Sequence, residues 1–402
     1  MTVVSDLKLA SVDLTGGELA GDTYHERLAE VARQSEVSWL ASSPLAYIAL
    51  DHESAEFFLR SRSTAFPGRE IADLFGVTSG RLRDQIDTNI LNQRGSQHRR
   101  LRALVGGAFT PRAADRWRPV MRTFLERLWA AVDAAHSCDF VAAIARPYPA
   151  LTIAAVLAAP EADAPQLQQW STLVQRQFDI QALGSELPEL ERAATELYDY
   201  VEQLLAMRAR QPGDDLLSSL LAAEEAGDRL THEECVYLVL NVIAGGVDTT
   251  QAQLSHALRM FAARPDQWEL LRGDSALVAG AVEEVLRFEP ITPFTARICV
   301  EEVEHRGVTF PAGTIVAVCS ERGNREQPGG EEFDITAPRD GRLLTFGAGA
   351  HFCLGANLAR AELQEALAFL APRMRGLEPA GPAVLGSLEG IFGVDSLPLR
   401  WS

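Results

Sequence analysis

The chain has few of the features that mark disulfide-stapled, zinc-binding or secreted proteins. Its five cysteines, in 402 residues, are odd in number, widely spaced, and include no Cys-x-x-Cys pair. This pattern fits neither a disulfide framework nor a zinc knuckle. Residues 1–19 mix charged side chains among the apolar ones, so we expect no secretory signal sequence.

Long hydrophobic runs and excess positive charge are also missing. The most apolar uncharged stretches, residues 147–160 and 235–247, are shorter than the roughly 20 residues that span a bilayer. Lysine and arginine number 37 against 55 acidic residues, a formal charge of −18. This balance favours solubility and argues against nucleic acid or an anionic membrane as partner. We expect a soluble, cytoplasmic protein.

No internal repeat or low-complexity linker interrupts the sequence, which predicts a single domain over residues 1–402. Residues 37–50 carry β-prone side chains around a Ser-Ser-Pro turn and predict a hairpin. Residues 97–290 have a helical pattern. Residues 298–320 predict short strands, and residues 321–342 predict a long irregular connection.

One predicted helix contains an unusual pair of glycines. Thr231 and Glu234 form a capping-box pattern, and the helix is expected to run from there to Leu258. Gly245 and Gly246 lie in its middle, although glycine costs roughly 1 kcal/mol relative to alanine in a helix interior. A kink that makes room for a ligand would explain them.

Asp248 and Thr249 follow that glycine pair directly. A carboxylate and a hydroxyl beside such an opening could deliver protons to a bound ligand. The alternative is a solvated aspartate and a core threonine that bonds back to its own helix.

Cys353 stands alone in a glycine-rich segment, FGAGAHFCLG, that starts at Phe346 and precedes a strongly helical run. Such a thiol at the positive end of a helix can be held as a thiolate and is a candidate iron ligand. A buried structural cysteine is the alternative. A dinucleotide-binding loop is disfavoured because Phe352 occupies the place of the third glycine.

Further charged groups recur at helical spacing. Glu284 and Arg287 lie three residues apart, and His98 and Arg102 lie four apart, so each pair shares a helix face. Residues 94–122 hold eight arginines and one acid. Surface ion pairs and a solvated basic helix face are the alternatives.

The segment from Phe346 to Gly355 resembles the haem-binding signature of the cytochrome P450 family, Phe-x-x-Gly-x-His-x-Cys-x-Gly. The resemblance implies that Cys353 binds the iron of haem b from its proximal side. It also implies that residues of this signature and cations elsewhere in the chain contact the haem: Phe346, Gly349, His351, Gly355, His98, Arg102 and Arg297.

Two more segments resemble motifs of the same family. Residues 245–250 resemble the oxygen-activation segment, which implies that Asp248 and Thr249 are the catalytic acid-alcohol pair. Glu284 and Arg287 resemble a Glu-x-x-Arg structural lock. The family's Pro-Pro-Glu and Asn-Arg-Asp-Pro patterns are altered here, which leaves open the third partner of the lock and one haem-propionate contact.

The resemblance implies a mainly α fold with a small β region and a monooxygenase that activates dioxygen. We expect it to hydroxylate or epoxidise a lipophilic small molecule of the secondary-metabolite, terpenoid, steroid or polyketide type. Electrons would come from a separate ferredoxin and an NAD(P)H-dependent ferredoxin reductase. The pocket is expected to include Phe178, Leu183, Asn241, Ala244, Gly245, Ile291, Phe294, Ile391 and Phe392.

Two other functions remain open at this point. A haem-thiolate binding or sensor protein would use the same iron ligand without turnover, although it would need neither the acid-alcohol pair nor the arginine-rich segment. A member of the family could also couple aromatic rings or rearrange its substrate rather than hydroxylate it.

Overall fold

A computed structural model of the chain describes residues 2–14, 23–225, 230–338, 341–388 and 390–402. The helices, in chain order, are α1 (Tyr24–Gln34), α2 (His52–Arg60), α3 (Gly68–Leu74), α4 (Arg81–Thr88), α5 (Gly95–Gly106), α6 (Pro111–Asp115), α7 (Arg118–Ala130), α8 (Pro147–Val156), α9 (Ala164–Gln175), α10 (Ile180–Ser185), α11 (Leu187–Arg210), α12 (Leu216–Glu225), α13 (His232–Gly246), α14 (Asp248–Ala262), α15 (Pro265–Gly273), α16 (Val278–Phe288), α17 (Ser320–Arg325) and α18 (Ala356–Leu370).

The strands are short. In chain order they are β1 (Thr2–Val3), β2 (Leu40–Ser42), β3 (Tyr47–Ala49), β4 (Thr64–Ala65), β5 (Ser137–Asp139), β6 (Phe294–Cys299), β7 (Val303–His305), β8 (Val308–Phe310), β9 (Ile315–Cys319), β10 (Glu378–Pro379), β11 (Val384–Leu385), β12 (Val394–Ser396) and β13 (Pro398–Arg400).

The chain forms two compact units, each assembled from separate stretches of sequence. The β-rich unit consists of Met1–Pro67, Glu283–Cys353 and Leu385–Gly393, and the helical unit consists of Gly68–Val282, Leu354–Val384 and Val394–Ser402. The expectation of a single domain stays a prediction.

The β-rich unit is built on a five-stranded sheet with the order β2-β3-β9-β6-β4. The predicted hairpin is confirmed: β2 and β3 pair antiparallel, with Leu40 opposite Ala49. The predicted strands of residues 298–320 are also present, because β7 and β8 form a second antiparallel pair and β9 joins the large sheet. Buried aromatic residues, including Phe58 and Phe310, fill the core beside these strands.

The helical unit contains a strand, β5, where the pattern of residues 97–290 predicted helix. Strand β5 interrupts a region with an otherwise helical pattern, so the helical prediction was wrong there. It pairs antiparallel with β13, more than 250 residues later in sequence, and Asp139 accepts a hydrogen bond from the Leu397 amide at 3.1 Å. A strand that depends on such a distant partner leaves no local signal.

The predicted glycine-containing helix is present and is broken. Thr231 and Glu234 form the expected capping box at the start of α13. The helical backbone is interrupted at Val247, where φ is −98° and ψ is −67°, and it resumes as α14. The predicted kink is therefore confirmed at the residue that follows the glycine pair.

The structure also differs from the prediction just before the cysteine segment, by which we mean residues 346–355. Residues 321–342 were expected to be irregular, but the first of them lie in α17. Within the described part of the chain, none of the helices combines the length and apolar character needed to cross a bilayer.

Candidate functional site

The backbone of the cysteine segment depends on two glycines of the β-rich unit. Gly347 and Gly349 have φ angles of 70° and 69°, in the left-handed region that favours glycine. A Cβ on Gly349 would also lie 3.1 Å from the Cα of Arg60. The Cys353 amide donates a hydrogen bond to the Phe346 carbonyl at 2.8 Å, which closes the loop three residues before α18 begins.

Cys353 differs from the other four cysteines in exposure. Its side chain is exposed, whereas Cys235, Cys299 and Cys319 are buried and Cys138 is half-buried. Burial raises the pKa of Cys138 and Cys299 to about 11 and that of Cys235 to about 12, and it also raises the pKa of Cys319. Since burial disfavours a thiolate at the other four positions, Cys353 is the accessible thiol of the set.

In the helical unit, the two glycines at the helix break have different surroundings. A Cβ on Gly246 would lie 2.9 Å from the Cγ1 atom of Ile153, so this glycine allows α13 to approach α8 closely. A Cβ on Gly245 would meet no heavy atom of the described residues within 4 Å, apart from those of its own helix backbone. The break therefore combines tight packing on one side with open space on the other.

Side chains satisfy the carbonyl groups at the break. Thr249 donates from Oγ1 to the Gly245 carbonyl at 2.7 Å. The Ala244 carbonyl accepts from Gln175 Nε2 at 2.7 Å and from Ser171 Oγ at 3.2 Å. These hydrogen bonds supply donors to carbonyl groups that the interrupted helix leaves without an amide partner, one of them on the buried residue Ala244.

Asp248, the first residue of α14, is a half-buried carboxyl with an altered pKa. Burial raises its pKa above the ordinary value for aspartate. A hydrogen bond from Thr172 Oγ1 to Asp248 Oδ1, 2.9 Å long, favours the charged form and opposes that shift. A carboxyl whose pKa is raised by burial keeps a proton more readily than an exposed one, which suits an acid in proton transfer.

Glu284 and Arg287 form a buried ion pair at the end of α16. Arg287 Nε lies 2.7 Å from Glu284 Oε2, Nη2 lies 2.8 Å from Oε1, and each residue is 3% exposed. Arg287 also donates to the carbonyls of Gly330 and Glu332, at 2.6 Å and 2.8 Å, and Glu284 accepts from the Asp334 amide at 2.9 Å. Backbone groups of the irregular connection thus join the pair.

Arg297, on β6, is a cation buried without a carboxylate partner among the described residues. It is 6% exposed, and its guanidinium donates to the Ala296 carbonyl at 2.9 Å. Burial alone lowers its pKa to about 10. A buried cation needs a compensating anion, so a ligand with a carboxylate would stabilise this side chain.

The remaining predicted cations belong to different units. His98 and Arg102 share one face of α5 in the helical unit, with His98 buried and Arg102 half-buried. Burial, together with the charges of Arg102 and Arg99, lowers the pKa of His98. His351 is half-buried and ends a 3₁₀ turn in the cysteine segment.

The residues predicted to line a pocket range from exposed to fully buried. Leu183 is 2% exposed in a hydrophobic cluster of the helical unit, and Phe392 is 0% exposed in a cluster of the β-rich unit. Asn241 donates from Nδ2 to the Tyr237 carbonyl at 2.5 Å. Gly245 is exposed, and the others are buried or half-buried: Phe178, Ala244, Ile291, Phe294 and Ile391.

Sequence reasoning missed several polar residues of the helical unit. Glu362, on α18, is 1% exposed, burial raises its pKa well above the ordinary value, and Thr250 Oγ1 lies 3.4 Å from its Oε2. Gln85 and Asn92 are also buried. An isolated glutamate or amide on a helix usually faces solvent, so composition gave no signal.

A model of the cytochrome P450 family matches residues 37–371. The chain belongs to the cytochrome P450 family. Among its relatives, luteothin monooxygenase of Streptomyces thioluteus is 35% identical over 376 residues, 92% of each chain. Mycinamicin IV hydroxylase/epoxidase of Micromonospora griseorubida is 32% identical over 79% of this P450 and 77% of the relative.

A solved structure agrees with this assignment. The crystal structure of CalO2 superimposes with a TM-score of 0.89 at 30% identity, covering 98% of this P450 and 99% of that chain. The predicted family, the mainly α fold and haem b as cofactor are thereby confirmed. This P450 is a monooxygenase, and its enzyme relatives do not favour the alternative of a sensor.

Proposed function

We propose that this P450 hydroxylates or epoxidises a lipophilic small molecule of the secondary-metabolite type in the cytoplasm. The names of its relatives support this substrate class, since they include luteothin monooxygenase and mycinamicin IV hydroxylase/epoxidase. One atom of dioxygen enters the substrate and the other leaves as water. Two electrons from NAD(P)H and two protons balance the reaction.

Cys353 is the proposed ligand of the haem iron. Its exposed thiol, on a glycine-shaped loop that precedes a helix, is the cysteine best suited to be a thiolate. Arg297 fits a haem propionate, because it is buried and burial is the cause of its lowered pKa. We assign Arg102, His98 and His351 to the same propionate role. The bound cofactor supplies the oxygen chemistry.

The observation that carries the proposed reaction is the break at Val247. A carboxyl, Asp248, and a hydroxyl, Thr249, directly follow this break, and among the described residues there is open space beside Gly245. We assign Asp248 to hold and release the protons that the reaction consumes. We assign Thr249, whose hydroxyl is held by the Gly245 carbonyl, to orient the proton transfer. A protein that only bound haem would not require this pair.

The iron ligand is tested by replacing Cys353 with serine. We expect Cys353→Ser to lose the red-shifted band of the carbon-monoxide difference spectrum, because serine supplies no thiolate. Cys138→Ser, at a half-buried position of the helical unit, is the control and should keep the band. A Cys353→Ser protein that retained the band would refute the assignment.

The reaction is tested in two steps with haem-loaded protein. A library of lipophilic compounds is first screened for substrate-induced shifts of the haem spin state. Binding compounds are then incubated with NADPH, a surrogate ferredoxin and its reductase, and the products are analysed by mass spectrometry. We expect products that are one oxygen atom heavier. Coupled or rearranged products would instead favour the non-hydroxylating alternative, and persistent inactivity despite normal haem would contradict turnover.

A further inference from the structure

One face of α9 holds the broken helix through three side chains of the helical unit. Ser171 and Gln175, four residues apart, both donate to the Ala244 carbonyl. Thr172, next to Ser171, donates to Asp248. The contacts therefore reach both sides of the break at Val247, on α13 and on α14.

The two side chains that donate to the Ala244 carbonyl, Ser171 and Gln175, stabilise the interrupted form of the helix. In a continuous helix this carbonyl would accept from the amide of the residue four positions later, which is Asp248. Here Gln175 Nε2 lies 2.7 Å from the carbonyl oxygen and Ser171 Oγ lies 3.2 Å away. Because the carbonyl already has two donors, closing the helix gains little hydrogen-bond energy.

The hydroxyl of Thr172 has a fixed direction. Gln168, one turn earlier on α9, donates from Nε2 to Thr172 Oγ1 at 2.9 Å. A hydroxyl has one hydrogen, so the hydrogen of Thr172 is directed to the Asp248 carboxyl. This orients one oxygen of the carboxyl toward α9.

We propose that Ser171, Thr172 and Gln175 are positioning residues for the oxygenation reaction, which keep the helix break open and fix the orientation of the Asp248 carboxyl. The inference rests on the proposed function, in which Asp248 and Thr249 supply protons. None of the three side chains needs to contact substrate or haem to act in this way.

The first test concerns Thr172 and uses the haem-loaded protein without substrate. The carboxyl of Asp248 is titrated by difference infrared spectroscopy, and its signal is identified as the one absent from Asp248→Asn. Thr172→Val removes a hydrogen bond that favours the charged form, so we expect the pKa of Asp248 to rise. Thr172→Ser keeps the hydroxyl and should restore the original titration.

The other charged groups that act on Asp248 stay in place in this comparison. They are Arg146, whose charge lowers the pKa, and Asp395, whose charge raises it. An unchanged titration in Thr172→Val would overturn the assignment of Thr172. Equal shifts in Thr172→Val and Thr172→Ser would do the same, since the hydroxyl would then not be the cause.

The second test concerns the break itself. In the double variant Ser171→Ala with Gln175→Leu, the Ala244 carbonyl loses both donors and should pair with the Asp248 amide. We expect hydrogen exchange of that amide to slow by roughly threefold to tenfold, the effect of about one hydrogen bond. Gln169→Leu, on an exposed position of α9, is the matched control and should leave exchange unchanged.

The outcomes separate this inference from the proposed function. Equal exchange in the double variant and the control would overturn the role of Ser171 and Gln175. If Thr249→Ala leaves the coupling of NADPH use to product unchanged, the proton-delivery role fails, whatever the infrared and exchange results. If Thr249→Ala lowers coupling while the α9 variants change neither titration nor exchange, only the positioning role fails.

Discussion

At the scale of single residues, the two adjacent glycines at the helix break, Gly245 and Gly246, have different structural roles. A Cβ on Gly246 would contact Ile153, whereas beyond the helix backbone a Cβ on Gly245 would have no heavy atom of the described chain within 4 Å. Sequence reasoning attributed both glycines to a kink. The structure assigns close packing to one and open space to the other, because only the neighbouring helix α8 distinguishes them.

Alanine substitutions at these two glycines should therefore have different effects. Gly246→Ala forces a methyl group against Ile153 and should lower the free energy of unfolding by about 1–3 kcal/mol, which is the usual cost of overpacking. Gly245→Ala, the matched control, should leave the stability of the haem-free protein unchanged or slightly higher. Thermal or denaturant unfolding measures both.

Gly245→Ala should instead show its effect when haem and substrate are bound. The added methyl would occupy the open space beside the break, so we expect weaker substrate-induced spin-state shifts. Equal losses of stability in both variants would contradict the different roles of the two glycines.

At the scale of secondary-structure elements, the Glu284–Arg287 ion pair at the end of α16 binds the backbone of the irregular connection, within residues 321–342. Sequence spacing predicted that Glu284 and Arg287 share a helix face. It could not show that Arg287 donates to the carbonyls of Gly330 and Glu332, because those contacts depend on how residues more than 40 positions later return to the helix. The same limit explains the missed strand β5.

Replacing Arg287 with lysine should destabilise the protein strongly. Lysine keeps the charge but cannot form the forked contacts, so the buried Glu284 carboxylate loses part of its compensation. We expect a loss of about 1–3 kcal/mol in the free energy of unfolding, because buried acceptors lose their donors, or failure to obtain haem-loaded protein. Arg27→Lys is the control, because Arg27 and Glu30 have the same spacing at the surface.

The control Arg27→Lys should lower the free energy of unfolding by less than about 1 kcal/mol, as is usual for exposed ion pairs. Denaturant unfolding followed by circular dichroism compares the two variants. If Arg287→Lys were as stable as Arg27→Lys, the buried network would not stabilise the connection.

At the scale of the whole molecule, several arginines of the arginine-rich segment, residues 94–122, already form ion pairs within the protein. Fewer of them can contact a partner protein than the composition suggested. Arg100, Arg116, Arg118 and Arg122 pair with acidic residues of the same unit. Within the described ranges, the exposed residues Arg94, Arg99 and Arg112 have no such ion pair. If the electron donor is an acidic ferredoxin, as the sequence predicts, we expect it to contact these three arginines of a chain whose charge is −18.

Replacing Arg94, Arg99 and Arg112 together with alanine should weaken reduction by an acidic ferredoxin. We expect the KM for ferredoxin to rise about tenfold at low ionic strength, and the difference to shrink as salt screens the charges. Arg210→Ala, at an exposed arginine of α11, is the control. A KM that changed equally in both variants would argue against docking on this segment.

The sequence by itself determined the family, the mainly helical fold and the cofactor of this protein. It did so because the cysteine segment, the glycine pair with Asp248 and Thr249, and the Glu284–Arg287 pair are local patterns of few residues. Only the tertiary structure decided what surrounds them. The side chains of α9 at the helix break, the backbone partners of Arg287 and the buried state of Arg297 result from packing between segments that are distant in sequence.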